Sequence, residues 1–93
     1  MPASMAIVST EASERYAKQL LAHLSRKPSI VLRAETLIFS YGTATVRAAP
    51  GQLLLEVQAA DPQSLARLED VVARHLVRFG RRAELTVTWQ SDG

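Results

Sequence analysis

The chain has no cysteine. That one absence excludes disulfides, zinc–thiolate centres and thiol nucleophiles together. No apolar run approaches the roughly 20 residues needed to cross a bilayer. The opening MPASMAIV has no basic stretch and too few apolar residues for a secretory signal, so the cytoplasm is the expected location. An excess of one charge is missing as well: eleven basic residues face nine acidic ones, for a net +2. Aromatic residues make up only 5%, and none interleaves the arginines as a base-stacking platform requires, which argues against nucleic acid as a partner. Catalytic signatures are lacking too. G-x-S-x-G, H-E-x-x-H, the phosphate-cradling P-loop and G-x-G-x-x-G do not occur, and no serine is placed to use a histidine as its base.

What remains is a 93-residue chain with 47% hydrophobic and 22% charged residues, the balance of one globular domain over 1–93 with a core at about 5–90. MAIVS (5–9) is a short β-branched run and reads as an opening strand. Ser9 or Thr10 would cap a first helix, with Glu11 favourably placed in its first turn. Ala12, Tyr16, Ala17, Leu20, Leu21 and Leu24 recur at helical spacing, and the chain must leave the helix before Pro28. Four strand-like runs follow: 29–33, 36–41, 43–48 and 52–59, the last two separated by the turn Pro50-Gly51. At Gly42 the apolar positions change parity, from Leu37, Phe39 and Tyr41 to Ala44, Val46 and Ala48. Only a bulge or a turn permits that.

Asp61-Pro62 then combines an N-cap with a proline at the first helical position. Leu65, Leu68, Val72, Leu76 and Phe79 share one arc of the helix that follows, and Gly80 sits where a left-handed C-cap belongs. ELTVTW (84–89) closes the chain as a half-buried strand with Leu85, Val87 and Trp89 on one face. The order β-α-β-β-β(-β)-α-β defines an α+β fold: one antiparallel sheet of four to six strands, with both helices on one face.

Two sets of residues are candidates for function. Arg67, Arg74 and Arg78 project within about 40° of one another on the second helix, away from the apolar arc. The plain account is a solvated face. Asp70–Arg74 is an i,i+4 pair there, and Arg78, Arg81 and Arg82 complement the helix dipole. The alternative account is a basic docking patch for nucleic acid or an acidic protein. Glu69-Asp70 reads as surface charge. The second set is the histidines. His75 lies between the directions of Leu68 and Val71, and His23 lies beside Tyr16 at the edge of the first helix's arc. If both helices cover one sheet face, the imidazoles can approach. Two imidazoles without a carboxylate or thiolate make a poor metal site, so no metal and no cofactor are expected. The expected arrangement is a polar seam with His75 largely buried and His23 partly so. Each would reach a polar partner.

YAKQLLAHLSRKP, AADPQSLARLEDVVARHLVRFGRR and ELTVTW together resemble the bacterial domain-of-unknown-function family 2218, over residues 5–90. The resemblance is most specific over 60–79 and at Leu85, Val87 and Trp89. The family's histidines fall on His23 and His75, and Arg78 follows the second. Many relatives carry another histidine three residues after the first, with a bulky aromatic between. Arg26 and Leu24 stand at those places here, which weakens any multi-histidine metal site. The resemblance implies a TATA-binding-protein-like fold, which does not license a DNA-binding claim. It also implies a link to siderophore-iron utilisation, with a ferric siderophore or a siderophore-interacting reductase as partner. A non-enzymatic binding or accessory domain that uses His23, His75 and Arg78 fits the absence of catalytic signatures better than two other readings. These are a small enzyme built on the histidine pair and a basic docking module.

Overall fold

Alternate residues along the strands are buried, because one face of the sheet meets the helices and the other does not. The computed structural model describes residues 2–79 and 87–91. In β1 (Ala3–Ser9) Ser4, Ala6 and Val8 are buried, while Met5 and Ile7 are 43% and 53% exposed. β3 (Thr36–Phe39) buries Leu37 and Phe39, and β4 (Gly42–Ala49) buries Ala44 and Val46. β5 (Gln52–Ala59) buries Leu53, Leu55, Val57 and Ala59. Two three-residue strands, β2 (Val31–Arg33) and β6 (Trp89–Ser91), form the edges. The six strands lie in the order β2-β3-β4-β5-β1-β6, antiparallel at every pairing.

The parity change at Gly42 is a turn. Phe39 pairs with Gly42, so Ser40 and Tyr41 form a two-residue connection and the odd positions of β3 share a face with the even positions of β4. Glycine is required there by close approach. A Cβ at position 42 would lie 2.3 Å from the Gln58 carbonyl oxygen and 2.4 Å from a methyl of Leu68. The other two hairpins also turn in two residues: Ala34-Glu35 between β2 and β3, and Pro50-Gly51 between β4 and β5. Gly51 takes a left-handed φ of 72°, as the turn requires. Ala34 takes 53°, where a Cβ is strained.

The first helix, α1 (Ser13–Leu24), starts later than Ser9 or Thr10 would place it. Its N-cap position is Ala12, which offers no side-chain oxygen. The Thr10 hydroxyl instead accepts the Ala12 amide at 3.2 Å, capping the turn before the helix. Glu14, rather than Glu11, is therefore the acid in the first turn. The buried Ser13 hydroxyl donates to the Ala49 carbonyl at 2.8 Å, tying the helix start to the β4–β5 turn. The second helix, α2 (Pro62–Phe79), begins as read. The Ser64 amide donates to Asp61 Oδ1 at 2.7 Å, and that bond holds the Asp61 carboxyl below its usual range.

Leu20 and Leu24 of α1 join Leu65, Leu68, Val72 and Leu76 of α2 and the buried sheet residues in one core. α1 packs over β3, β4 and β5, α2 packs over β4, β5 and β1, and the helices touch each other. Both helices thus cover the same sheet face. Among the described residues the closing strand spans Trp89–Ser91, with Trp89 opposite Ala6 of β1; residues 84–86 of the expected 84–89 run lie outside the described residues. Val87 and Trp89 pack partly buried against the core. The readings of Gly80, Arg81, Arg82, Leu85 and the Phe79 side chain fall outside what is described.

Candidate functional site

The helices bring the two histidines together. His23 stands in the last turn of α1, and its ring centroid is 5.1 Å from that of His75 on α2, with the planes inclined by 49°. His75 is half-buried, not largely buried as its place on the apolar arc suggested. Leu65, Leu68, Val72 and Leu76 take the directions that face the sheet, and His75 lies about 60° round the helix from their centre. It therefore flanks the core on the side of α1. Its Nδ1 lies 2.7 Å from the Val71 carbonyl one turn back. A carbonyl only accepts, so Nδ1 carries the proton and Nε2 remains to meet a ligand.

The described charges acting on His23 are positive. Partial burial comes first, followed by the like charges of His75, Arg26, Arg78 and Lys27, and together they hold its imidazole below the usual range. Those described charges repel a cation, and each would attract an anion. Among the described residues no three of His, Cys, Asp and Glu are grouped to hold a metal ion. Arg78 was read with Arg67 and Arg74 as one solvated stripe, but the structure gives the three arginines different settings. Arg74 pairs with Asp70 at 2.6 Å in the open, as the i,i+4 spacing indicated. Arg78 is exposed, with its charge felt at His23. Arg67 lies over the Tyr41 ring, 4.7 Å from its centroid. Sequence reasoning missed the Arg67–Tyr41 pair because Tyr41 was assigned to a strand. The parity break at Gly42 was the signal that a turn carried it there.

No described helix is long and apolar enough to cross a membrane. The architecture is that of an α+β protein: an open six-stranded antiparallel sheet with two helices on one face and a pair of imidazoles between those helices. Within that class the chain belongs to the DUF2218 family, uncharacterized proteins conserved in bacteria, which it matches over residues 5–90. It is similar to the NMR structure of PA4090 from Pseudomonas aeruginosa, with 32% identity and a TM-score of 0.77 over 97% of this chain and 96% of that one. No curated protein matches it.

Proposed function

We propose that the chain is a non-enzymatic binding module whose ligand is an anion held at the helix seam by His23, His75 and Arg78. The carrying observation is the imidazole pair, 5.1 Å apart, with the described charges of Arg26, Lys27 and Arg78 acting on it. Nε2 of His75 lies on the side of the ring away from its backbone partner, where it can meet the anion. His23 gains a proton on binding, because a bound negative charge offsets the like-charge repulsion that, after burial, holds its pKa down. The seam would then bind through hydrogen bonds from the two imidazole rings and a charge-assisted one from the Arg78 guanidinium. The family resemblance directs this reading towards siderophore-iron utilisation. Ferric complexes of catecholate type are anionic and fit such a seam as cargo, and a siderophore-interacting reductase would be the macromolecular partner. Among the described residues of the seam no nucleophile is paired with an oriented base, which supports holding a ligand over converting it.

The test is a titration of the purified protein with an anionic ferric siderophore and with a cognate reductase. Micromolar binding is expected, as for a transient partner with a small interface. Affinity should rise as pH falls from about 8 to about 6, through the imidazole range. His23→Gln with His75→Gln should flatten that rise. An affinity independent of pH, or turnover of the ligand, would refute the reading.

A further inference from the structure

A cavity opens beside the seam, where the end of α1, the segment leading into β2, the β3–β4 turn and α2 meet. Its volume is about 270 Å³, just below the roughly 300 Å³ at which sites for drug-sized ligands begin. That is room for a single ring with a substituent. The buried side chains of Leu24, Ile30 and Phe39 line its apolar part. Tyr41 stands against Phe39 with centroids 5.6 Å apart and planes inclined by 48°, so the cavity has an aromatic wall.

The polar rim is cationic. Lys27 and Arg67 both line it, and among the described residues no carboxylate does. The ion pairs among the described residues join Arg47 to Glu35 and Arg74 to Asp70, leaving Lys27 and Arg67 without an acidic partner. Arg67 is also held in place: its guanidinium lies 4.7 Å from the centre of the Tyr41 ring. An arginine stacked on a ring spends its face on the aromatic and keeps its edge donors for a second partner. That edge is the fork that matches a carboxylate in bidentate fashion. Ser29 lines the same rim.

We infer that this cavity binds a small aromatic carboxylate, with the ring against Tyr41 and Phe39 and the carboxylate between Arg67 and Lys27. The site goes beyond the histidine seam, because its recognition elements, Arg67 and Tyr41, are not those of the imidazole pair. A lone inorganic anion would leave the aromatic and apolar walls unused, and a neutral ring would leave two cations unanswered.

Benzoate is the probe. It is titrated into the isotopically labelled full chain, with amide shifts followed by NMR and with cyclohexanecarboxylate, phenol and inorganic phosphate in parallel. Benzoate is expected to shift the amides of Ser29, Ser40, Tyr41 and Arg67 saturably. The other three probes should bind several-fold more weakly or not at all. Arg67 is exposed, so Arg67→Gln should leave the fold intact while weakening benzoate about tenfold or more, the loss expected for a charge-assisted pair. The His23→Gln, His75→Gln double variant should bind benzoate within about twofold of the parent, as separate sites do. The inference is overturned if no shifts appear at about 10 mM, well above the roughly millimolar Kd within reach of a one-ring ligand. It is equally overturned if phosphate produces the same shifts at the same concentration, or if Arg67→Gln binds as well as the parent.

Discussion

The two faces of the sheet are made by the same strands and differ in almost everything else. On the helix side Leu53, Leu55 and Val57 of β5 are at most 1% exposed and sit in the common core. On the other side the residues between and beside them, Leu54, Glu56 and Gln58, look out past Met5, Ile7, Thr45 and Arg47. A Thr36–Thr45 hydroxyl contact at 3.0 Å and an exposed Arg47–Glu35 pair at 3.7 Å are characteristic of that side. Neighbouring residues of one strand therefore answer to different physics. On one side apolar area leaves water at roughly 25 cal/mol per Å², and on the other it largely does not. The comparison also places the polar seam. His23 and His75 lie at the rim of the covered side, close enough to the core to be oriented and far enough from it to be solvated.

The sharpest way to break this contrast is to truncate on the covered side. Leu55→Ala should lower unfolding free energy by about 2–5 kcal/mol, measured by urea denaturation, since a fully buried leucine leaves a cavity the sheet cannot close. A loss below 1 kcal/mol would mean the core is looser than described. Gly42→Ala comes next, at about 1–3 kcal/mol, because the added methyl must displace a backbone carbonyl as well as Leu68.

At the rim the effects shrink. His75→Leu should cost less than about 1 kcal/mol, because the Val71 carbonyl that receives Nδ1 is also an acceptor of the helix ladder and is not orphaned. A greater loss would show that the imidazole pair carries stability as well as polarity. Acid sharpens the same point. His23 binds its proton less readily in the folded chain than in the unfolded one. The stability it allows is thus present above its ordinary value of 6.5 and declines as pH falls through and below that value. Thermal unfolding of His23→Gln should show a shallower decline over that interval. On the open side Ile7→Thr should move stability by no more than about 0.5 kcal/mol, in spite of removing a β-branched hydrophobe.

Much of the covered face was legible in advance. Alternation over 52–59 and the i, i+3, i+4 recurrence of Leu65, Leu68, Val72 and Leu76 follow from the geometry of strands and helices, so they mark the core without reference to anything distant. Asp61-Pro62 located the start of α2 for a similar reason: an N-cap acts within its own turn. Where readings missed, the deciding partner was remote in sequence. The start of α1 is fixed in part by Ser13 reaching Ala49, thirty-six residues away, which no inspection of residues 9–13 reveals. His75 was assigned too much burial because the apolar arc was drawn one position too wide. The meeting of the imidazoles could be raised as a condition but not decided, since it depends on both helices choosing one face. The arginines show the limit most plainly. Shared direction on a helix predicted shared environment, yet Arg67 found an aromatic ring supplied by a turn and Arg74 found only its helical neighbour.

The three two-residue turns that join β2, β3, β4 and β5 have a kinetic consequence. Each closes a loop of minimal length, so the entropy lost in bringing those strands together is small. Pairing β1 with β5 must instead close a loop containing α1 and most of the meander, and pairing β6 with β1 spans almost the whole chain. Local pairings form fast and distant ones slowly. The four-strand meander is therefore the early structure, and the strands beyond β5 dock onto an edge that already exists. Pulse-labelling hydrogen exchange during refolding should protect the amides of β3 and β4 before those of β1.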